Sequence, residues 1–594
     1  MCAAALALAA GHTAAFVPQS TSSSIPAQAH GQIRRCSQRT HQQLPLLNNA
    51  PITTAAAASL AATSTSLSLA PAAAISRAIS SLPVIPSIVR KIILLGAAIA
   101  LSLNLKRILY PNIVRDAAVD EPLPPGKLGC PLFGNQIFVG SKKFGTGYFW
   151  HRMSKALGAP RVWMVYFLGR PGAVITGGEN IKNLLNTEFD DDGVENGVNP
   201  SGMLDENSML AEKDRRMHSY MRRLVGAAMT PAAVTKAVPN LREAAEKQVD
   251  AMLRDGTANS EATCTAYTLD VAWKQILGLN LSEDEVPVFS QMVDQWIAGF
   301  ADLRVVFNVF PKRSPAFRAK KWLTDKIEEK IDQLESNGPD ASTLSAMVYA
   351  TDDATEGTDG NRKLTREQIV ENSLVLILAG SETSASTLTN ALLFLGLSPD
   401  KWTKLVEEQR DMMANHGDVM TRDLLDKECP YLEGVIKETM RLKPLSSGAP
   451  RTLRSTVTID GYQIPKGWGV NWNVLLTHEN DPITYKEDGS HMDVKDGFQP
   501  ERWLDETTRP STDFIPMGAG PRYCLGSTLA YTEMKVFLAT LARRMDFDLA
   551  DENLKSGEDV EWKRMSIIPL PKDGVPIEVK PALVQKAKEA VVAA

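Results

Sequence analysis

A cysteine near the end of the chain lies in a loop that restricts what its sulfur can do. The loop runs from Pro516 to Gly526 and reads PMGAGPRYCLG, with Cys524 as its ninth residue. Glycines four residues before and two residues after the cysteine let the backbone fold tightly around a thiolate, whose sulfur the loop amides can then hydrogen-bond. Arg522 can pair with a carboxylate of the same ligand. The pattern indicates a metal-binding thiolate, and the alternative is a buried structural cysteine.

A long apolar segment upstream, residues 371–395, carries small and polar residues at its centre. A helix that is apolar on all sides belongs to the core of a large domain. The central patch contains Ala379, Gly380, Glu382 and Thr383. An acid beside an alcohol can relay protons to a bound oxygen molecule, for which we expect the helix to widen locally. The alternative is that the hydroxyls only bond to carbonyls of their own helix.

Two further segments carry charges that can pair. Glu438 and Arg441 are three residues apart on a helix predicted over about 431–443, so they share one helical face. Arg502 follows in the segment Pro500-Glu-Arg-Trp503, shortly before the cysteine loop. A surface ion pair, worth under about 1 kcal/mol, is the alternative for the first two.

Together, and in this order, these motifs resemble those of the cytochrome P450 family. The cysteine loop is similar to the family's FxxGxRxCxG at four of five fixed positions, and Met517 replaces the aromatic residue. The resemblance implies a mainly α fold with a smaller β-sheet region, in a single large domain. It also implies heme b, with Cys524 as the axial thiolate ligand of the iron. The residues predicted to contact the cofactor are Cys524, Arg522, Gly518, Met517, His218, Arg222, Arg451, Ala379 and Gly380.

Some of these assignments rest on weaker matches. His218 and Arg222 resemble the family's WxxxR, whose two residues reach a haem propionate, and imidazole can also donate to a carboxylate. Arg451 corresponds in position to a further arginine that binds a haem propionate in the family, and Arg454 is the alternative residue for that role. Since methionine is flexible and polarisable, Met517 predicts an altered redox potential or weaker haem retention.

The resemblance further implies a structural ion network of Glu438, Arg441 and Arg502, and a monooxygenase reaction. Glu382 and Thr383 would deliver protons while one oxygen atom of O2 enters a hydrophobic substrate. Two alternatives stay open. One is a P450-fold isomerase or dehydratase acting on lipid hydroperoxides, and the other is a non-enzymatic haem-binding protein.

The substrate class follows from analogy with one clan of the family. The entry segment, residues 123–134, and the Ala-Gly-Ser-Glu-Thr variant at 379–383 resemble the clan that includes sterol, brassinosteroid and retinoid hydroxylases. We therefore expect a terpenoid substrate, such as a carotenoid, an apocarotenoid or retinoid, or a sterol.

The first part of the chain differs in composition from the rest. Residues 1–115 contain nine Lys or Arg and no acid. Residues 1–80 are predicted to be a targeting leader, with a low-complexity tail as the alternative. Residues 81–115 contain the apolar run 92–105 between basic pairs, which predicts a membrane anchor, although about 20 residues are needed to span a bilayer. The haem domain is predicted over 116–594, at a plastid (chloroplast) membrane or, alternatively, at the endoplasmic reticulum.

Charge bears on the partners of the main domain. The whole chain has a net charge of −5, and subtracting the nine basic residues of 1–115 leaves −14 for residues 116–594. This charge argues against nucleic acid as a partner. The chain has no flavin or nicotinamide fingerprint, so electrons must come from ferredoxin or from NADPH–cytochrome P450 reductase. A basic cluster that could dock an acidic donor consists of Lys213, Arg215, Arg216, Arg222 and Arg223.

Overall fold

The computed structural model describes most of the chain from residue 109 onward. The described ranges are 109–110, 112–129, 134–135, 147–167, 169–197, 202–306, 308–352, 362–445, 448–488, 490–510, 513–563 and 568–582. The predicted leader, and all of the predicted anchor except residues 109–110 and 112–115, lie outside them. From residue 115 the described residues belong to one compact unit. Within the described ranges, no helix has both the length and the apolar character needed to cross a membrane.

Helices form most of that unit, and several begin at a residue whose side chain caps the helix. Thr365, for example, forms a reciprocal capping box with Gln368, which fixes the start of the longest helix. In chain order the helices are α1 Gly147–Ala156, α2 Gly178–Asn186, α3 Arg215–Ala227, α4 Pro231–Asp255, α5 Ser260–Val271, α6 Glu285–Ala298, α7 Leu303–Val306, α8 Pro315–Asn337, α9 Thr343–Tyr349, α10 Arg366–Leu397, α11 Pro399–His416, α12 Arg422–Lys427, α13 Pro430–Leu442, α14 Val474–Glu479, α15 Val494–Gly497 and α16 Ser527–Arg544.

The strands in the described part of the chain form three small sheets. They are β1 Val162–Phe167, β2 Arg170–Ile175, β3 Val194–Asn196, β4 Thr257–Asn259, β5 Arg451–Leu453, β6 Val457–Ile459, β7 Tyr462–Ile464, β8 Gly469–Trp472, β9 Met545–Leu549 and β10 Pro576–Pro581. The largest sheet has the order β1-β2-β8-β5-β3, and β2 pairs with β8 in parallel. A second sheet has the order β4-β10-β9, and β6 pairs with β7 alone.

The longest helix, α10, runs through the main apolar cluster. It packs against α5, α13 and α16, and both of its halves are buried almost without interruption. Burial on all sides agrees with its apolar sequence, since one exposed face would require polar residues at helical spacing. Helix α16 begins three residues after Cys524 and also packs against α13. The candidate site therefore lies between elements of the core.

Candidate active site

The cysteine loop depends on two glycines and on a backbone hydrogen bond that closes it. Gly518 and Gly520 have φ angles of +76° and +71°, in the left-handed region that glycine adopts without strain. A Cβ atom on Gly520 would also lie 2.7 Å from the carbonyl oxygen of Leu185. The Cys524 N–H donates to the Met517 carbonyl at 3.0 Å, which closes the loop. Because this bond uses the backbone carbonyl of Met517, it does not depend on the side chain at position 517.

The surroundings of Cys524 favour a thiolate only in part. Burial raises the pKa of the Cys524 thiol, while the Gly526 N–H and the Arg222 guanidinium act in the opposite direction. Arg222 also donates to the Tyr523 carbonyl at 2.6 Å, so it is fixed against the loop. Burial is the largest of these effects, and a bound metal cation would act against it, because a coordinated thiol loses its proton.

Helix α10 opens to internal space at its centre. Ala379 is exposed and Glu382 and Thr383 are half-buried, whereas the residues on both sides are almost all buried. The Thr383 hydroxyl donates to the Ala379 carbonyl at 2.6 Å. The helix keeps one type throughout, so the local widening expected from the sequence is not found. We call this stretch, residues 378–383, the window of α10, because most of its residues are exposed or half-buried. Such a stretch in a core helix indicates a cavity beside it.

Glu382 is the acid at this window. Burial raises its pKa, and the nearby carboxylates of Asp294 and Glu261 raise it further. A raised pKa keeps a proton on the acid nearer to neutral pH, which suits a group that must give one up.

A buried acid connects this helix with the helix that follows the cysteine. The hydroxyl of Ser384 bonds to the Glu533 carboxyl group, and burial raises the pKa of Glu533 to about 8. Glu533 lies six residues, or about 9 Å, along α16 from its start at Ser527. The bond therefore joins the residue after Thr383 to the element that begins at the cysteine loop. Glu533 was not among the residues predicted from the sequence, since a single acid within a helix carries no pattern of its own.

The three residues of the predicted ion network lie together. Arg441 donates through Nε and one Nη to the two carboxylate oxygens of Glu438, both at 2.9 Å. Arg502 Nε donates to Glu438 at 3.0 Å. Trp503 Nε1 adds a bond at 2.9 Å, and the Glu438 side chain is fully buried. This buried carboxylate therefore joins α13 to the segment before the cysteine loop.

Two of the arginines predicted to bind carboxylates of the ligand, Arg451 and Arg522, share a protein partner in this structure. Glu188, which is buried, accepts from Arg451 Nε at 2.9 Å and also from Arg522 Nε. The other Arg522 nitrogens donate to the carbonyls of residues 209, 210 and 212. Arg454 is turned to the Asp190 carbonyl at 3.1 Å. The acid lies on the loop after α2, and no sequence pattern links it to either arginine.

His218 and Arg222 are better placed to donate to a bound carboxylate. The His218 side chain is buried, with only 2% of its surface exposed. Burial, together with Arg522 and Arg222, lowers the pKa of His218 to about 3, so the ring is neutral. Its ring centroid lies 5.0 Å from that of Phe189. A neutral imidazole beside the Arg222 guanidinium fits a ligand that brings its own acceptor.

Taken together, these groups suit an iron porphyrin. Cys524 supplies a soft thiolate ligand, His218 and Arg222 supply donors for carboxylates beside it, and the window in α10 supplies space. The chain also matches the family model described as Cytochrome P450, over residues 124–572. The chain belongs to the cytochrome P450 family.

Relatives with curated or solved descriptions agree with this assignment. Cytochrome P450 26B1 of Xenopus tropicalis is 29% identical over 454 residues, which cover 73% of this chain and 83% of that protein. Cytochrome P450 26A1 of Xenopus laevis is 26% identical over 488 residues, which cover 79% of this chain and 92% of that protein. A solved structure of cyanobacterial CYP120A1 with bound retinoic acid has a TM-score of 0.65 and 23% identity, covering 78% of this chain and all of that one. At this identity the last likeness shows the fold.

Family membership confirms the predicted fold, cofactor and enzyme class, and the general kinds of substrate and redox partner. The fold is a mainly α P450 fold with small sheets, and the cofactor is haem with the Cys524 thiolate as iron ligand. The P450 is a monooxygenase that takes a hydrophobic substrate, O2 and electrons from a redox partner.

Proposed function

We propose that this P450 hydroxylates a terpenoid, with retinoids and apocarotenoids as the first class and other carotenoids and sterols as the rivals. The observation that carries the proposal is the retinoic acid held by the solved relative CYP120A1. At one end of the window, Leu378, Ala379 and Gly380 carry no polar side chain, which suits an apolar polyene, while Glu382 and Thr383 lie at its other end. The clan resemblance of the sequence gives separate support.

Residue roles in the reaction are part of the proposal. Bound haem supplies the reduction of dioxygen and the oxidising power for attack on a C–H bond. The raised pKa of Glu382 suits it to take up and release a proton, and Thr383 passes protons onward. For that, the Thr383 hydroxyl must turn away from the Ala379 carbonyl that it now contacts. His218 and Arg222 orient the haem by donating to its propionates, whereas Arg451 and Arg522 act through Glu188.

Ligand binding tests the substrate class. The oxidised holoenzyme is titrated with all-trans retinoic acid, β-carotene and ergosterol while the haem spectrum is recorded. We expect retinoic acid to give the largest low-to-high-spin shift at the lowest concentration, because its polyene is apolar and the solved relative CYP120A1 holds the same compound. A shift with ergosterol alone would replace the retinoid by a sterol, and no shift with any of them would remove the terpenoid class.

Turnover separates hydroxylation from the isomerase and dehydratase alternative. The expected product carries one oxygen atom from labelled O2 and forms only with a reductant. Conversion of a fatty acid hydroperoxide without reductant or O2 would instead favour the rearrangement chemistry.

The electron donor is proposed to dock near the cysteine loop. The structure pairs several members of the basic cluster with acids, including Lys213 with Glu195 at 2.7 Å and Arg215 with Asp190 at 3.5 Å. Both cations are more than half exposed, so an acidic donor can compete for them. Double charge reversal at Arg215 and Arg216 should slow reduction by ferredoxin at low salt. An unchanged rate with both ferredoxin and the reductase would exclude this cluster.

Localisation follows from the leader. We propose a plastid membrane, with the endoplasmic reticulum as the alternative, because residues 1–115 are basic and free of acids. A fluorescent protein fused after residue 115 should accumulate in plastids. Reticular fluorescence would select the alternative and, with it, the reductase as donor.

A further inference from the structure

A buried histidine lies between the ion network and the cysteine loop. His478, at the end of α14, is 2% exposed. Its Nδ1 atom lies 3.2 Å from the carbonyl oxygen of Arg441, the last charged residue of α13. Its Nε2 atom accepts from the N–H of Ile515 at 3.1 Å. One imidazole therefore connects two segments that are more than 70 residues apart in sequence.

The two partners fix the protonation state of the ring. A carbonyl oxygen can only accept, so Nδ1 must carry the hydrogen, and a backbone N–H can only donate, so Nε2 must be bare. Burial lowers the pKa of His478 to about 4, which keeps the ring neutral in this tautomer near pH 7. The ring also stacks on Phe514, with centroids 5.4 Å apart and planes 25° apart. Its orientation is thus set on both edges and on one face.

Hydrogen bonds continue from the histidine to the iron ligand. The Ile515 carbonyl accepts from the Gly518 N–H at 3.1 Å, and the Met517 carbonyl accepts from the Cys524 N–H at 3.0 Å. At the other end, Arg441 binds the buried Glu438 carboxylate. The path therefore joins the ion network to the backbone of Cys524 through a single side chain.

We propose that His478 is a positioning residue that holds the first turn of the cysteine loop to α13, and so keeps the Cys524 sulfur on the iron. Without the imidazole, the buried Ile515 N–H loses its acceptor and the loop can shift to find another. The ion network then stabilises α13 but no longer fixes the loop. His478 therefore determines the position of the sulfur and does not only stabilise the fold.

A structural role in packing alone makes the opposite prediction for two substitutions. His478→Phe keeps a flat ring for the stack on Phe514 but removes both hydrogen bonds. His478→Gln removes the ring but can place an amide oxygen where Nε2 accepts from Ile515. If packing is the function, the Phe variant is the better substitute; if the hydrogen bonds are the function, the Gln variant is.

The experiment compares wild type, His478→Phe and His478→Gln as haem-loaded, full-length protein. Reduced carbon monoxide difference spectra report thiolate ligation, with bands near ~450 nm for the intact ligand and ~420 nm for its loss. We expect the Phe variant to convert most of its absorbance to the ~420 nm band and the Gln variant to keep most of the ~450 nm band. Leu334→Ala on α8 is the control, since Leu334 is buried in the main cluster away from this path. It should lower Tm without moving the band.

A Phe variant that keeps as much of the ~450 nm band as the Gln variant overturns the proposal. If neither variant folds, hydrogen exchange of the wild-type holoenzyme decides. Amides of Ile515, Gly518 and Cys524 should then exchange slowly and at similar rates. Exchange of Ile515 as fast as an open surface loop would show that no bond to His478 holds it.

Discussion

The two sides of the site are held in different ways. On the cysteine side, bonds connect elements that are far apart in sequence: Arg502 reaches Glu438, and Ile515 reaches His478. On the side of α10, the Thr383 hydroxyl bonds only to its own helix, at Ala379. The first arrangement fixes an atom in space, whereas the second leaves a hydroxyl free to change partner. Substitutions on the cysteine side should therefore cost stability and ligation, and those on α10 should cost chemistry.

The largest expected effect is at the ion network. Arg441→Met leaves the Glu438 carboxylate buried with only part of its compensation, which costs about 3–5 kcal/mol of unfolding free energy. Denaturant unfolding and haem content of the purified variant measure this. The matched control is Lys321→Met, which breaks an exposed pair with Asp325 and should leave Tm unchanged. Full haem content and a wild-type Tm in the Arg441 variant would contradict the description of this side.

Thr383→Ala tests the other side. The rate of product formation should fall by about 100-fold because proton delivery is lost, while Tm and haem content stay the same. Electrons consumed per product, measured against peroxide release, report the loss. Thr387→Ala is the control, since this buried hydroxyl also bonds to its own helix, at the Thr383 carbonyl. Equal product yields in the two variants would remove the proton-delivery role.

Glu533→Gln links the two sides through pH. The pKa of Glu533 is about 8 in the folded protein, against about 4.3 for an unperturbed glutamate. Because the folded state keeps a proton that the unfolded chain releases, this group makes stability fall as pH rises from about 4.3 to about 8. Glutamine does not titrate, so the variant should lose less unfolding free energy between pH 5 and pH 8. If the unfolding free energy falls equally with pH in both proteins, Glu533 is ionised in the folded state over this pH range.

Elements with a strong local pattern could be predicted from the sequence. The apolar segment at 371–395 lies within helix α10, and the helix predicted over about 431–443 appears as α13, Pro430–Leu442. Contacts made by single polar residues could not be predicted in this way. Glu188 and His478 carry no local signal, because their partners come together only when distant loops meet in the fold. The bond from Arg522 to Glu188 was likewise not predicted, and its pairing with a carboxylate of the ligand stays a prediction.

The smallest expected effect is at Met517. Its backbone carbonyl bonds the Cys524 N–H, and this bond survives any substitution that leaves the loop intact. Met517→Phe should therefore shift the haem reduction potential only slightly and raise haem retention slightly, through the side chain alone. Spectroelectrochemical titration and haem transfer to apomyoglobin measure the two quantities. Equal values in both proteins would remove the hypothesis that Met517 tunes the site.

The central claim, that Cys524 binds the haem iron as a thiolate, is tested most directly by the reduced carbon monoxide difference spectrum of the full-length protein. Wild type should absorb near ~450 nm, Cys524→Ser should lose this band, and Cys429→Ser should keep it, because Cys429 is buried against Gln409. A wild-type band near ~420 nm, or a ~450 nm band that survives in Cys524→Ser, would contradict the claim.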